Sequence, residues 1–429
     1  MAERLLPAHP SALRGMVALP TSKSLTNRAL VAAAVANGGT IVSPLDCDDT
    51  RFLASALARA GWRLDWGTEI EIGERSVPAD PVELDLGESG TGSRLIVGLL
   101  AASPGHSTVD GSTRLRERPM APLLDTLADL GAEISSNDGA LPVEIEGSLL
   151  AGGTAEVRPE VSSQYVSSLL MAAPLMSKGL KLAVSGPLPS APYLDLTLDV
   201  LRAFGGDVRV SEDRRLWAVA PGPLERSRYV VEGDWSAAAF FLAGVAVAGG
   251  EVAMRPLDPE SRQGDRAILE IFVAAGLEAA WDIDRLVVRG PLAAPIVADL
   301  RDTPDLFPAL VAAAACAQPG SWFSGLDNLK HKESDRLTVM VDNLERLGAK
   351  FDRENGNLRI ASTVGTEASA PALVTAAGDH RVAMAMAVAA LACGPLRLDE
   401  PDCVTKSFPG FWKTWHDLMA TEDEVRPIP

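Results

Sequence analysis

Five amphipathic segments that close on a glycine recur at nearly equal intervals along this 429-residue chain. They are FLASALARAG, ending at Gly61, PLLDTLADLG at Gly131, DLTLDVLRAFG at Gly205, AILEIFVAAG at Gly276 and LTVMVDNLERLG at Gly348, spaced by 70, 74, 71 and 72 residues. Apolar residues at helical spacing with a glycine stop predict one helix per segment. A short strand pattern follows each: WRLDW, AEISS, GDVRV, LEAAW and AKFDR. Between them runs a second, more apolar helical series, also ending at glycine: RALVAAAVANGG, SRLIVGLLAASPG, YVSSLLMAAPLMSKG, AAAFFLAGVAVAGG, FPALVAAAACAQPG and VAMAMAVAALACG. A fixed period makes each repeat one supersecondary unit, so the chain reads as six copies of an α/β module of about 70 residues.

Helices this apolar have to lie inside their modules. Their N-terminal edges are polar, however: Ser22-Lys23-Ser24, Gly90-Thr91, Ser162-Ser163-Gln164, Asp234-Trp235-Ser236, Asp305 and Asp379-His380-Arg381. A helix start offers unpaired N–H groups and roughly half a positive charge, which suits an anion. Capping by Ser, Thr or Asp explains any one of these starts taken alone. Lys23, Arg94 and Arg381 exceed what a cap requires, so several starts gathered together would make a cationic ligand site. The formal net charge of the chain is −18. An acidic surface repels a phosphate backbone and argues against nucleic acid as a partner, whereas small anions can still be drawn to local cations.

Cys47, Cys316, Cys393 and Cys403 lie far apart with no C-x-x-C pair, and the five histidines are dispersed with no H-E-x-x-H. This fits a reducing compartment, read as the cytoplasm, and no metal site. The N-terminal stretch has no apolar core of the kind a signal peptide needs. The uncharged run 306–326 is interrupted by Pro308, Gln318, Pro319, Gly320 and Ser324, and reads as a core helix, a turn and a strand rather than a membrane span. A monomer is expected, and the tail after Trp415 reads as a frayed polar terminus.

Residues 20–28, PTSKSLTNR, place Lys23 and Arg28 about a turn apart with serine hydroxyls between them. Residues 86–94, LGESGTGSR, are glycine-rich, but Ser93 stands where a P-loop carries its lysine, so ATP hydrolysis is not supported. Small residues leading into a helix still let backbone N–H groups approach an anion. RLRERP at 114–119 and HKESDR at 331–336 occupy equivalent places before amphipathic helices, where salt-bridged helix entry is the plain alternative. Asp305, after Thr303-Pro304, reads either as an N-cap or as a base of tuned pKa, and Asp379-His380-Arg381 poses the same choice. PSAPY at 189–193 and VTKSFP at 404–409 are loops whose polar groups serve no evident structural need.

In this order, across about residues 19–409, the motifs closely resemble those of the 5-enolpyruvylshikimate-3-phosphate synthases, the 3-phosphoshikimate 1-carboxyvinyltransferases. The resemblance implies an α/β enolpyruvyl transferase-like fold, an inside-out α/β barrel of two similar domains. Each would hold three copies of a βαβαββ-type module and close on substrate in the cleft between them. Residues 1–19 with 233–429 would form one domain, and 20–232 the other. By the same resemblance, shikimate 3-phosphate would be bound by Ser24, Arg28, Ser162, Ser163, Gln164, Ser190, Tyr193, Asp305, Asn328 and Lys332. Phosphoenolpyruvate would be bound by Lys23, Gly90, Arg118, Gln164, Arg336, Arg381 and Lys406. Five of these last are cations, as a ligand bearing carboxylate and phosphate requires.

The implied chemistry is addition followed by elimination. The 5-hydroxyl attacks C2 of phosphoenolpyruvate while C3 is protonated, and phosphate then leaves the tetrahedral ketal as a proton departs from the new methyl group. Asp305 and Glu333 resemble the acid–base residues, with Lys23 as an acid toward the leaving phosphate and His380 as a helper. No metal or organic cofactor is implied, because clustered cations supply the electrostatic stabilisation. The sequence departs from the family pattern at Thr21, where glycine is usual, at Glu88, Ser93 and Leu95, where Asn, Met and Pro are common, and at Ala191, often lysine. These positions bear on substrate affinity and on glyphosate, which in that family occupies the phosphoenolpyruvate site. The related transferases acting on UDP-N-acetylglucosamine usually carry a reactive cysteine near the Arg118 region, and residues 105–122 contain none. A catalytically dead sensor would have lost Asp305 or Glu333, and a repeat scaffold would expose a large apolar face instead of polar helix starts.

Overall fold

The computed structural model describes residues 3–8, 12–365 and 371–419. The chain divides into two compact units, one of Met1–Pro20 with Gly233–Pro429 and the other of Thr21–Glu232. The first crossing therefore lies after Pro20, one residue beyond the position read from the sequence.

In each unit three apolar helices pack against one another at the centre. They are Lys23–Val35, Gly90–Ala101 and Gln164–Ala172 in the unit Thr21–Glu232, and Trp235–Ala248, Phe307–Ala317 and His380–Cys393 in the other. All of residues 25–35 are buried, as are all of residues 307–315. Alanine makes this arrangement possible, because small side chains let helices approach on every face, and each fully buried Leu or Val among them contributes about 2 kcal/mol. The polar starts have a local cause as well. Side-chain oxygens of Ser22, Ser89, Asp234 and Asp379 accept from the backbone N–H of Leu25, Gly92, Ala237 and Arg381. The Gln164–Ala172 helix is shorter than the YVSSLLMAAPLMSKG pattern suggests, since Pro174 falls in a 3₁₀ turn, Ala173–Leu175, that ends it.

Among the described residues six sheets clothe these cores, three in each unit. Each four-stranded sheet has one design: a short edge strand runs parallel to the second, and an antiparallel hairpin follows. In the first module Arg228–Val230 pairs with Gly39–Val42, then come Glu69–Arg75 and Trp62–Trp66. Because Arg228–Val230 is the last strand of its unit, the pairing of Tyr229 with Ile41 closes that unit on itself. In the other unit the N-terminal strands do the closing. Leu13–Ala18 runs parallel to Gly250–Arg255, and Glu3–Leu6 runs antiparallel to Leu396–Asp399.

The five amphipathic segments form the helices Asp48–Arg59, Ala121–Asp129, Pro192–Ala203, Ala267–Ala274 and Arg336–Arg346. A further helix, Phe411–Met419, packs on the Leu13–Ala18 strand, with Leu418 against Gly15 and Trp415 against Phe241 of the central helix Trp235–Ala248. The chain just after Trp415 is thus helical rather than frayed, because Leu418 falls one turn later on the same apolar face. The rest of that tail, from residue 420, lies outside the described residues. Residues 306–326 give a core helix and the strand Trp322–Ser324. Among the described residues no helix is long and apolar enough to cross a membrane.

Candidate active site

In the unit Thr21–Glu232, cations stand at or near the starts of the central helices. Lys23 opens the first helix, and its Nζ lies 2.8 Å from Asp49, which sits in the first turn of Asp48–Arg59. Arg28, one turn further, is fully buried. Its Nε donates to Thr197 Oγ1 at 2.9 Å, Nη1 to the Ser24 carbonyl at 3.0 Å, and Nη2 to Ser167 Oγ and the Tyr193 carbonyl at 3.4 and 3.1 Å. Within RLRERP, Arg114 and Arg116 make exposed pairs with Glu117 and Asp110, as a salt-bridged helix entry would. Arg118 instead is buried, with its guanidinium laid against the backbone of Gly90.

Gln164 ties the second and third central helices together. Its Oε1 accepts from Arg94 Nη1 at 2.5 Å, and its Nε2 donates to Thr91 Oγ1 at 3.0 Å. Ser162 Oγ accepts from the Gln164 backbone N–H at 3.3 Å, and Ser163 Oγ donates to the Ser190 carbonyl at 3.1 Å. The departures from the family pattern are accommodated: Glu88 is exposed, Ser93 Oγ donates to the Gly90 carbonyl at 3.1 Å, and Leu95 is fully buried.

In the other unit Arg336 is the node of a charged network. Its Nη1, Nη2 and Nε donate to Asp305 Oδ1 at 2.7 Å, Glu333 Oε2 at 2.6 Å and Asp379 Oδ2 at 2.8 Å. Asp305 lies in the 3₁₀ turn Pro304–Leu306, where its side chain caps no helix. Its carboxylate also meets Lys332 Nζ at 3.1 Å and Arg381 Nη2 at 3.2 Å. Lys406 Nζ stands 3.9 Å from Glu333, and the buried His380 ring lies 3.8 Å from Asp379. In these pairs four cations face three carboxylates. The side chain of Asn328 joins none of these pairs, although the turn it begins, Leu329–His331, leads directly to Lys332.

The electrostatics follow from burial and pairing. Burial pushes the Asp305 carboxyl up, but Arg381, Lys332 and Arg336 outweigh it and hold it well below the usual carboxylate range. Burial pulls the Lys332 ammonium down against the opposing attraction of Asp305. Burial also lowers Arg28, to about 10, against the smaller opposing effects of Tyr193 and Tyr229. Such an arrangement keeps a carboxylate ionised beside cations that can turn to an arriving anion.

Asp49, Thr197 and Ser167 were not singled out from the sequence as site residues, whereas Asp379 was, within Asp379-His380-Arg381. Asp49 neutralises Lys23, and Asp379 both caps its helix and holds Arg336. Thr197, with Ser167, holds Arg28, and its only sequence signal is a hydroxyl in the buried register of an amphipathic helix. Among the described residues no three His, Cys, Asp or Glu side chains are grouped to hold a metal ion.

Two units, each with three apolar helices enclosed by three mixed sheets and with cations collected at the helix starts, define an enolpyruvyl transferase fold. The chain belongs to the EPSP synthase family: the family described as EPSP synthase (3-phosphoshikimate 1-carboxyvinyltransferase) matches residues 7–415. It is 38% identical to a 3-phosphoshikimate 1-carboxyvinyltransferase of Methanoregula boonei, covering 96% of this chain and 99% of that one. It is 39% identical to the corresponding protein of Methanoculleus marisnigri, over 92% and 94%. An EPSP synthase structure from Acinetobacter baumannii matches with a TM-score of 0.78 at 27% identity, covering 97% of this chain and 98% of that one.

Proposed function

We propose that this protein transfers the enolpyruvyl group of phosphoenolpyruvate to the 5-hydroxyl of shikimate 3-phosphate and releases phosphate. Family membership over nearly the whole chain supports the reaction. The observation that carries the residue assignment is Asp305, a carboxylate kept ionised among Lys332, Arg336 and Arg381. We assign Asp305 as the base that takes the 5-hydroxyl proton. While three cations hold it, Asp305 is a weak base. An anionic substrate that draws Lys332 and Arg381 to itself returns basicity to Asp305 at the moment a base is needed.

Glu333 shares Arg336 with Asp305 and faces Lys406, which suits it to move the proton at C3. Lys23 is assigned to the leaving phosphate, with Asp49 holding the ammonium in place and His380 assisting. Arg118, Gln164, Arg336, Arg381, Lys406 and the backbone of Gly90 would hold phosphoenolpyruvate. Ser24, Arg28, Ser162, Ser163, Gln164, Ser190, Tyr193, Asn328 and Lys332 would hold shikimate 3-phosphate. These side chains are thus assigned to one reaction, run without metal or organic cofactor by a monomer in the cytoplasm. The free thiols Cys47, Cys316, Cys393 and Cys403 accord with a reducing compartment.

The test is phosphate release from phosphoenolpyruvate with shikimate 3-phosphate, with UDP-N-acetylglucosamine as the alternative acceptor and Asp305→Ala as the control. Release that requires shikimate 3-phosphate and falls at least a hundredfold in the variant supports the assignment, a loss on the order expected for an acid–base residue. No release with either acceptor removes it.

A further inference from the structure

We propose that Thr197 and Ser167 are positioning residues, whose hydroxyls fix the Arg28 guanidinium for the anion of shikimate 3-phosphate while leaving its charge uncancelled. The inference rests on the assignment of Arg28 to that substrate.

Among the described residues, the four hydrogen bonds of Arg28 end on neutral oxygens: Thr197 Oγ1, Ser167 Oγ, and the carbonyls of Ser24 and Tyr193. Arg336, as deeply buried, is instead surrounded by Asp305, Glu333 and Asp379. The difference is functional. A guanidinium bonded to carboxylates has its charge spent within the protein, whereas one held by hydroxyls and carbonyls keeps a full positive charge for a ligand. Burial without a counter-ion is costly, and the pull on Arg28 reflects that cost.

The two hydroxyls form a directed chain. Thr197 Oγ1 donates to Ser167 Oγ at 2.8 Å, and its lone pair is thereby turned toward Arg28 Nε, 2.9 Å away. Both side chains are fully buried, on the helices Pro192–Ala203 and Gln164–Ala172, with Arg28 on Lys23–Val35. Three helices therefore meet at one guanidinium. Packing alone would be served better by valine at 197, which has the same shape and no donor to satisfy.

The experiment compares Thr197→Val, Thr197→Ser and Ser167→Ala with the wild-type enzyme. Thr197→Val is expected to raise KM for shikimate 3-phosphate about tenfold while kcat and KM for phosphoenolpyruvate stay within about twofold. Ser167→Ala should give a smaller rise of the same kind, and Thr197→Ser should restore KM. Unchanged KM in Thr197→Val, or an equal loss for both substrates with no rescue by serine, overturns the proposal. Exchange of the Arg28 Nε–H with solvent, followed by NMR and assigned through Arg28→Lys, reads the same contact without turnover. Faster exchange in folded Thr197→Val supports the clamp even if the wild type releases no phosphate, an outcome that would remove only the functional reading. Unchanged exchange overturns the clamp.

Discussion

The guanidinium of Arg118 fills the space that a side chain at position 90 would need: a Cβ added to Gly90 would stand 2.3 Å from Arg118 Nη1. Gly90 begins its helix at an ordinary backbone angle, so the glycine is there for room. Gly90→Ala should push Arg118 away from its place and raise KM for phosphoenolpyruvate about ten- to hundredfold, the worth of a charge-assisted contact. KM for shikimate 3-phosphate should change far less. Steady-state kinetics varying each substrate in turn will check this, and equal effects on both would contradict the placement of Arg118.

The alkaline side of the pH profile should report Lys332. Burial lowers its pKa, so its charge is lost, as pH rises, earlier than for an ordinary lysine. Asp305 is shifted down as well, held well below the usual carboxylate range, and contributes no acid limb near neutrality. Lys332→Arg keeps its charge throughout and should move the alkaline limb of kcat/KM upward. An alkaline limb that does not move would assign it to another group.

Much of the fold could be read from the chain, because six apolar runs and five glycine-ended amphipathic helices repeat in register. The helix starts were legible too, since Ser22, Ser89, Asp234 and Asp379 cap in the way local sequence dictates. The partners of the charged residues were not. Arg28 meets Thr197 across 169 residues, and Arg381 meets Asp305 across 76. Only packing of modules fixes such pairs, and no spacing in the sequence encodes them. The helix Phe411–Met419 escaped the repeat for a simpler reason: it has no glycine stop.

Arg336 should tolerate no replacement by lysine. Its planar fork gives a separate nitrogen to each of Asp305, Glu333 and Asp379, whereas an ammonium is a single point of charge. Arg336→Lys leaves carboxylates buried beside one another and should cost about 3 kcal/mol. For a unit of ~200 residues that is a fall of roughly 6–12 °C in melting temperature. Calorimetry will show it, and a melt within about 2 °C of wild type would mean the network bears little weight.

Gly233, where the chain re-enters the unit formed with Met1–Pro20, is constrained from three directions. A Cβ there would lie 1.6 Å from the carbonyl oxygen of Pro256, an approach only glycine permits. The neighbouring backbone cannot easily give way. The Gly233 carbonyl accepts from Gln263 Nε2 at 2.7 Å, and the Asp234 N–H donates to the Pro20 carbonyl at 2.9 Å. Asp234 in turn caps the Trp235–Ala248 helix through the Ala237 N–H. Moving Gly233 by the ångström or more that alanine demands would therefore break a cap and two buried hydrogen bonds together. Gly233→Ala is expected to destabilise this unit by more than about 2 kcal/mol. Urea unfolding should show a lower midpoint with an unchanged slope, as for a loss of stability without a change in the exposed surface. An unshifted midpoint would show that the backbone here yields at little cost.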